Sequence, residues 1–369
     1  MGIKTKVKNL IKTFMMKKGL KTDRHIVVFE SDDWGAVRNS SKENLNIFRT
    51  EYPDIKLDNY QSLDILETDE DILKLKSVLQ RHKDSKGEVA KFTLNFATAN
   101  PDFDKIKQSE YKLFVTEKIS DSYRATKNSK RVLELVKEGM QEKCFMPQLH
   151  TREHLNGNFL LADIVTNSIA KRAFDLGIIG VVNDTYAGMD SLNVKSSENN
   201  YQLLTEAVRN FEEIFGFVPK TYIAPCYVWS EKDELVLKNL GIKALQGKMF
   251  QNIPLARNSY QKKFHAFGSV SKTTGLQYFS RNCFFEPSKS RMEGLSDKQM
   301  LENILKDIDT AFRCKKPAVI CTHRVNYVSG ISLENRESNL KLLDELLSII
   351  VKKYSNIEFL TSSDLVGGI

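Results

Sequence analysis

"HIVVFESDDWGAVR", residues 25–38, runs a short apolar segment straight into two adjacent carboxylates, Asp32 and Asp33. The apolar run has the length and flanks of a buried strand. Adjacent acids repel each other, and nothing in the local pattern calls for both. The pair is either a surface turn or a paired acid placed for chemistry.

Working outward, the same design repeats along the chain. Strands are predicted at 25–30, 91–97, 143–149, 178–183, 220–224, 242–246, 276–280, 318–322 and 357–360. Helices are predicted between them at 69–82, 124–141, 160–176, 198–215, 231–240, 297–313 and 333–354. In the last, apolar residues at 340, 343, 346, 347 and 350 share one helical face. Repeated β-then-α order predicts parallel strands joined by crossover helices. So many units in one chain favour an irregular (β/α) barrel with about seven parallel strands. Residues 250–275 have weak periodicity and predict an elaborated loop.

The unusual polar residues cluster by position. Asp32 and Asp33 follow the first strand, His150 the third, Pro225 and Cys226 follow "KTYIA", and His323 follows "AVICT". All are carboxyl ends of predicted strands, which in a (β/α) barrel share the face where active sites sit.

Bulk properties narrow the class. The chain has 369 residues, 41% of them hydrophobic and 28% charged, as in a soluble globular protein. Residues 1–25 hold seven Lys and one Arg against one Asp, so +7 of the total +8 lies there and the rest is near neutral. That excludes a basic nucleic-acid groove across the body of the fold. Five scattered cysteines without a C-x-x-C predict a reducing compartment rather than a disulfide framework. "MGIKTKVKNLIKTFMMKKGLK" reads as no signal peptide, because lysines interrupt every apolar run. A cytoplasmic protein is expected. Ile3, Val7, Leu10 and Phe14 fall on one helical face, so residues 1–22 predict a basic amphipathic helix preceding a barrel domain over 23–369. Such a helix suits peripheral contact of residues 1–20 with the inner membrane surface, or packing on the domain.

"QLHTREHLN" carries His150 and His154, spaced four apart so that both imidazoles could reach one metal ion. A carboxylate is the natural third ligand, and Asp32 or Asp33 would supply it. The acid pair then has a purpose: one carboxylate holds the cation and the other takes a proton from water. Such a centre suits hydrolysis of an amide or ester. His323 in "ICTHRVNY" is placed to protonate the leaving group.

Asp-Asp, then H-[S/T]-x-x-H, then a strand ending in a Pro motif, then a late His resembles the polysaccharide deacetylases, the NodB homology domain of carbohydrate esterase family four. The resemblance runs from about residue 25 to 325. It implies a metal-dependent hydrolase that removes acetyl groups from a carbohydrate, with Zn2+ the usual metal. By that resemblance Asp32 is the catalytic base, Asp33, His150 and His154 are the metal ligands, and His323 is the catalytic acid. The Cys226 backbone amide would help hold the oxyanion. This chain departs from the pattern at "SDDWG", where the family reads T-F-D-D-G. It also departs at Tyr222, Ile223 and Ala224, where an Arg is usual. In the family that Arg orients the base; Arg281 in "YFSRNCFFEP", at another strand end, could substitute for it, with an ordinary surface ion pair the alternative. Trp34, Tyr227 and Trp229 are expected as sugar-binding walls, with core packing the alternative for both tryptophans. "SDDWG" also resembles the A-D-D-F-G of the YdjC-type deacetylases, whose metal histidines are spaced differently.

Two further readings differ in class. "HTREH" satisfies the inverted zinc-peptidase pattern H-x-x-E-H, with Glu153 as base and Glu231 as third ligand. It requires the motif within a long helix. The missing motif Arg would fit a carbohydrate-binding barrel that has lost turnover.

Overall fold

The computed structural model describes residues 13–180, 197–256 and 259–368. The predicted elements are largely present. Parallel strands run β1 (His25–Trp34), β2 (Phe92–Ala97), β3 (Phe145–Thr151), β4 (Thr221–Ile223), β5 (Ala244–Gly247), β6 (Gln277–Ser280), β7 (Cys283–Phe284), β8 (Ala318–His323) and β9 (Ile357–Leu360). They form one sheet, with Ser269–Val270 added antiparallel on β6 and β9 lying on β1. β6 pairs with β5, and β7, two residues later, pairs with β8. The kinked run Gln277–Phe284 thus joins both ends of the sheet, and the curl is an irregular (β/α) barrel.

Register explains the barrel's interior. Val28 lies opposite Val319, Glu30 opposite Cys321 and Asp32 opposite His323 on β1 and β8. Alternate residues of a strand face the same side. Ile26, Val28, Val319 and Phe279 therefore form an apolar floor, capped by Phe267 and Leu365. Above it the interior turns polar with Glu30, Asn95, Gln246 and Arg281, all buried. Val27, Phe29 and Ile320 face the surrounding helices in the main core. Among these helices are Asp69–Gln80, Val132–Gln141, Ser197–Phe215, Asp297–Arg313 and Leu333–Lys353.

Differences from expectation have local causes. The helix predicted at 124–141 is two, Ile119–Ala125 and Val132–Gln141, parted by a turn with Asn128 at φ 67°. That predicted at 160–176 breaks at Asn167, whose side chain accepts from the Ile169 and Ala170 amides and caps Ser168–Asp175. The expected loop at 250–275 contains a hairpin, Phe250–Ala256 with Ser259–Phe264. Both strands are largely exposed, so no burial alternation marks them in the sequence. Ile178 bridges Asn39, and the rest of the strand predicted at 178–183 lies mostly outside the described residues.

Most of the predicted N-terminal helix, residues 1–12, lies outside the described residues. Helix is present at 13–16 and stops there. Met16 enters the main core, and Gly19, at φ 82°, bridges Phe267 in strand fashion. The left-handed φ of Gly19 is incompatible with continuing the helix, and a Cβ there would meet the Phe267 carbonyl, so the position calls for glycine. No helix among the described residues is long and apolar enough to cross a membrane.

Candidate active site

The carboxyl ends of β1, β3 and β8 and the loop after β4 converge on one pocket of about 210 Å³, whose lining includes Asp32, Asp33, His150, His154, Cys226, Tyr227 and His323. Regular alternation would send Asp32 and Asp33 to opposite sides of β1. A bulge prevents this. The β1–β2 register shifts between Ser31 and Trp34, and Asp33 sits at φ 73°. One bulge in a strand re-aims a side chain in this way. The β2–β3 register also shifts, between Phe96 and Ala97, opposite the segment that carries His150.

Asp33 Oδ1 lies 3.3 Å from His150 Nε2 and 3.2 Å from His154 Nε2. The His150 ring is fixed by a 2.8 Å contact between Nδ1 and the Ile223 carbonyl, which only an N–H can satisfy. That contact turns its Nε2 toward the site and Asp33. Burial pushes His154 down to about 3 against the opposing pull of Asp33, so that ring is neutral. Asp33 is buried, which alone would raise its pKa, but the adjoining His154 and His150 and the charges of His323 and Arg38 hold it well below the carboxylate range. Its Oδ1 has no hydrogen-bond donor and is buried. Asp33 Oδ1 and one nitrogen of each imidazole therefore lie within 4.8 Å of one another, a buried carboxylate and two histidines that fit a divalent cation. Two imidazole nitrogens and a carboxylate are a donor set that zinc accepts.

Asp32 has different company. Arg281 Nη1 and Nη2 donate to its two oxygens, each at 2.6 Å, and Asn95 Nδ2 donates to Oδ1 at 2.8 Å. Arg281 Nε donates to Glu30 at 2.6 Å, and Glu30 is also held by Ser362. Burial pushes Asp32 up, but the Arg281 charge and hydrogen bonds outweigh it and bring it down to about 2. Arg281 thus occupies the flank of Asp32, where the family resemblance leads one to expect the motif Arg. It enters from β6–β7 instead of from the strand before Pro225.

His323 Nε2 is 3.7 Å from Asp32 Oδ2, and its Nδ1 donates to Glu286 at 2.5 Å. Burial pushes His323 down, but Glu286 and the two aspartates outweigh it and raise it to about 9. Asn326 holds the other Glu286 oxygen at 2.9 Å. Glu286, Cys321 and His323 also bring donor atoms within 4.8 Å of one another. There the Nδ1–H of His323 already satisfies Glu286.

Cys226 and Tyr227 follow Pro225 with φ of 52° and 60°, a turn held by Asn252 donating to the Cys226 carbonyl at 3.0 Å. Tyr227 lines the pocket with Lys248 Nζ 4.6 Å above its ring. The two tryptophans do not line it, which corrects their expected role. Trp34 is fully buried, its Nε1 donating to Ser31 Oγ, and follows the outward side of β1 into the main core. Trp229 is buried with Nε1 donating to Glu234. Core packing wins because each indole N–H finds a buried partner.

The peptidase pattern fails on geometry. His150 ends β3 and His154 lies in the loop before Gly157–Thr166, so no helix carries the motif. Glu153 is taken up by Arg152 at 2.9 Å, and Glu231 is bonded to Thr273 on the surface.

Sequence reasoning missed Glu30, Asn95, Glu286, Lys248 and Arg38. Glu30 stands two residues before Asp32 on one strand, so alternation could have found it. No sequence signal marks Arg38, which reaches Asp33 Oδ2 at 3.7 Å and Asp64 at 3.4 Å. Asp64 is clamped in turn by buried Arg324, which also pairs with Glu67.

No family model matches the chain, and no curated protein matches it. Solved structures do. A "probable polysaccharide deacetylase" from Pseudomonas aeruginosa PAO1 aligns with TM-score 0.50 and 8% identity over 93% of this chain and 90% of that one. A "CE4 family pseudoenzyme" from Bacillus anthracis gives TM-score 0.39 and 9% identity over 93% and 66%. A 4-alpha-glucanotransferase from Thermococcus litoralis gives 0.46 and 11% over 92% of this chain, which spans 40% of that one. At these identities the first likeness establishes the fold alone: an irregular (β/α) barrel like that of the Pseudomonas protein.

Proposed function

We propose that the chain is a metal-dependent hydrolase that removes an acetyl group from a carbohydrate. The single observation that supports this best is the separation of the acid pair into two environments. Asp33 Oδ1 meets one nitrogen of each of two histidines, while Asp32 is held ionised by Arg281. Asp33, His150 and His154 would hold the cation, with Zn2+ favoured, and when bound it would acidify water and polarise an acyl carbonyl.

The remaining work falls to this chain's residues. Asp32, ionised at any ordinary pH, takes the proton from the attacking water. Arg281 fixes its plane and orientation. His323, kept protonated by Glu286, delivers a proton to the departing amine or hydroxyl. Cys226 lines the pocket, and its backbone amide would assist with the oxyanion. Tyr227 forms part of the wall that the sugar meets. Arg281 on Asp32 also weighs against a barrel that has lost turnover, because the orientation lost with the motif Arg is restored from another strand.

Metal analysis of the purified protein tests the reading. We expect near-stoichiometric zinc in the native chain and in Asp32→Asn, and its loss in Asp33→Asn and His150→Ala. Zinc retained in those two variants would remove the ligand assignment. Cleavage of peptides by the native protein would overturn the substrate class.

A further inference from the structure

Phe14, Lys18, Phe264 and Phe250 form a continuous surface stack. Lys18 Nζ lies 5.6 Å from the Phe14 ring centre and 5.8 Å from that of Phe264. The Phe264 and Phe250 rings are 5.7 Å apart. Phe14 is 65% exposed and Phe250 39%, and Leu255 near the hairpin tip is 56% exposed. Large apolar side chains so exposed in one stripe mark a contact surface. The stripe starts on residues 13–22 and ends two residues beyond Lys248, which lines the pocket.

Its charge is one-sided. Lys17, Lys21, Lys262 and Lys263 are exposed on the same two segments as the stack. Among the described residues, none of these four nor Lys18 has a carboxylate in ion-pair contact. Elsewhere surface lysines are commonly paired, as Lys118 is with Glu213 and Lys353 with Asp309. Unpaired cations among exposed aromatic and aliphatic side chains fit the headgroup boundary of an anionic bilayer: apolar groups enter the acyl edge and ammonium groups meet lipid phosphates. Stacking of bases or sugars fits less well, because Lys18 already covers one face of both Phe14 and Phe264.

We propose that this stripe docks the protein on an anionic lipid surface, with the Lys248 rim of the pocket beside the contact, so that the substrate is an acetylated sugar anchored to lipid. The docking stands on the surface itself; only the nature of the substrate rests on the hydrolase reading.

Vesicle sedimentation of the full chain tests it. With vesicles of phosphatidylcholine containing about one-third phosphatidylglycerol, the protein should pellet, and it should remain in solution with phosphatidylcholine alone. The double variants Phe14→Ser/Phe250→Ser and Lys262→Glu/Lys263→Glu should each weaken partition about tenfold or more with unchanged melting temperature, since all four side chains are at the surface or the hairpin. Acetate release from a soluble acetylated sugar should be the same in both variants as in the native chain. No pelleting with anionic vesicles, equal pelleting with neutral ones, or native partition in both variants would overturn the docking. Absent acetate release from every substrate would instead overturn the hydrolase reading and leave the vesicle result standing.

Discussion

At the scale of single residues, Asp32 and Asp33 differ by what surrounds them. Both are buried, and burial alone would neutralise either. A bidentate guanidinium keeps Asp32 charged, and two histidines with Arg38 keep Asp33 charged. Replacing Asp32 by Asn should leave zinc bound and cut acetate release about 100- to 10,000-fold, the usual range for a general base. Native turnover in that variant would remove Asp32 from the chemistry. Arg281→Met should be worse for the fold. It leaves Glu30 and Asp32 buried without their cation, a loss of about 3–5 kcal/mol by the behaviour of broken buried pairs, to be read by denaturant unfolding.

His323 gives a pH prediction. Its pKa is raised in the folded protein, so the protonated acid persists to about pH 9 and is lost above it. The matching stabilisation is fully present below the ordinary histidine value and fades as pH rises toward about 9. Activity should therefore show an alkaline limb assigned to His323. Glu286→Gln removes the main partner that raises it, so the limb should move to lower pH. A limb that stays in place in Glu286→Gln would show that another group sets it.

At the scale of elements, the bulge ending β1 is what turns sequence neighbours into site partners. Gly35 completes it at φ 80°, with its N–H donating to Glu67 at 3.0 Å and its carbonyl accepting from Asn100 at 2.8 Å. A Cβ there would lie 2.9 Å from the Ala97 carbonyl. Gly35→Ala should cost about 1–3 kcal/mol of stability, as left-handed strain does, and weaken zinc binding by shifting Asp33. Unchanged melting and unchanged zinc affinity would mean that the turn does not position the ligand.

The same scale shows what was legible. Strand ends, most helices and the convergence of Asp32, Asp33, His150 and His323 follow from apolar periodicity, because those elements are buried on defined faces. The hairpin at Phe250–Phe264 was not legible, since both of its strands are largely exposed. Nor were the bulges, which depend on backbone geometry. The order of the two acids came only from family resemblance, and the contacts that distinguish them, Arg281 on Asp32 and two histidines on Asp33, lie far apart in sequence. Trp34 and Trp229 misled because a tryptophan beside a motif looks the same whether it faces ligand or core.

At the scale of the molecule, the barrel is layered. An apolar floor of Ile26, Val28, Val319 and Phe279 supports a polar storey of Glu30, Asn95, Gln246 and Arg281, and the candidate site stands on top. Buried ion pairs are costly unless fully satisfied. Here Arg281 pairs with both Glu30 and Asp32, so the polar storey is satisfied by the same contacts that hold Asp32 ionised. The molecule's net charge lies almost wholly in the basic N-terminal segment, and the body is near neutral.

The most direct test is acetate release from a panel of acetylated sugars, measured on chelator-stripped protein as zinc is added back. The account predicts no release from the stripped protein and a rise that saturates near one zinc per chain. Release that is unaffected by stripping, or none from any sugar once zinc is bound, would contradict it.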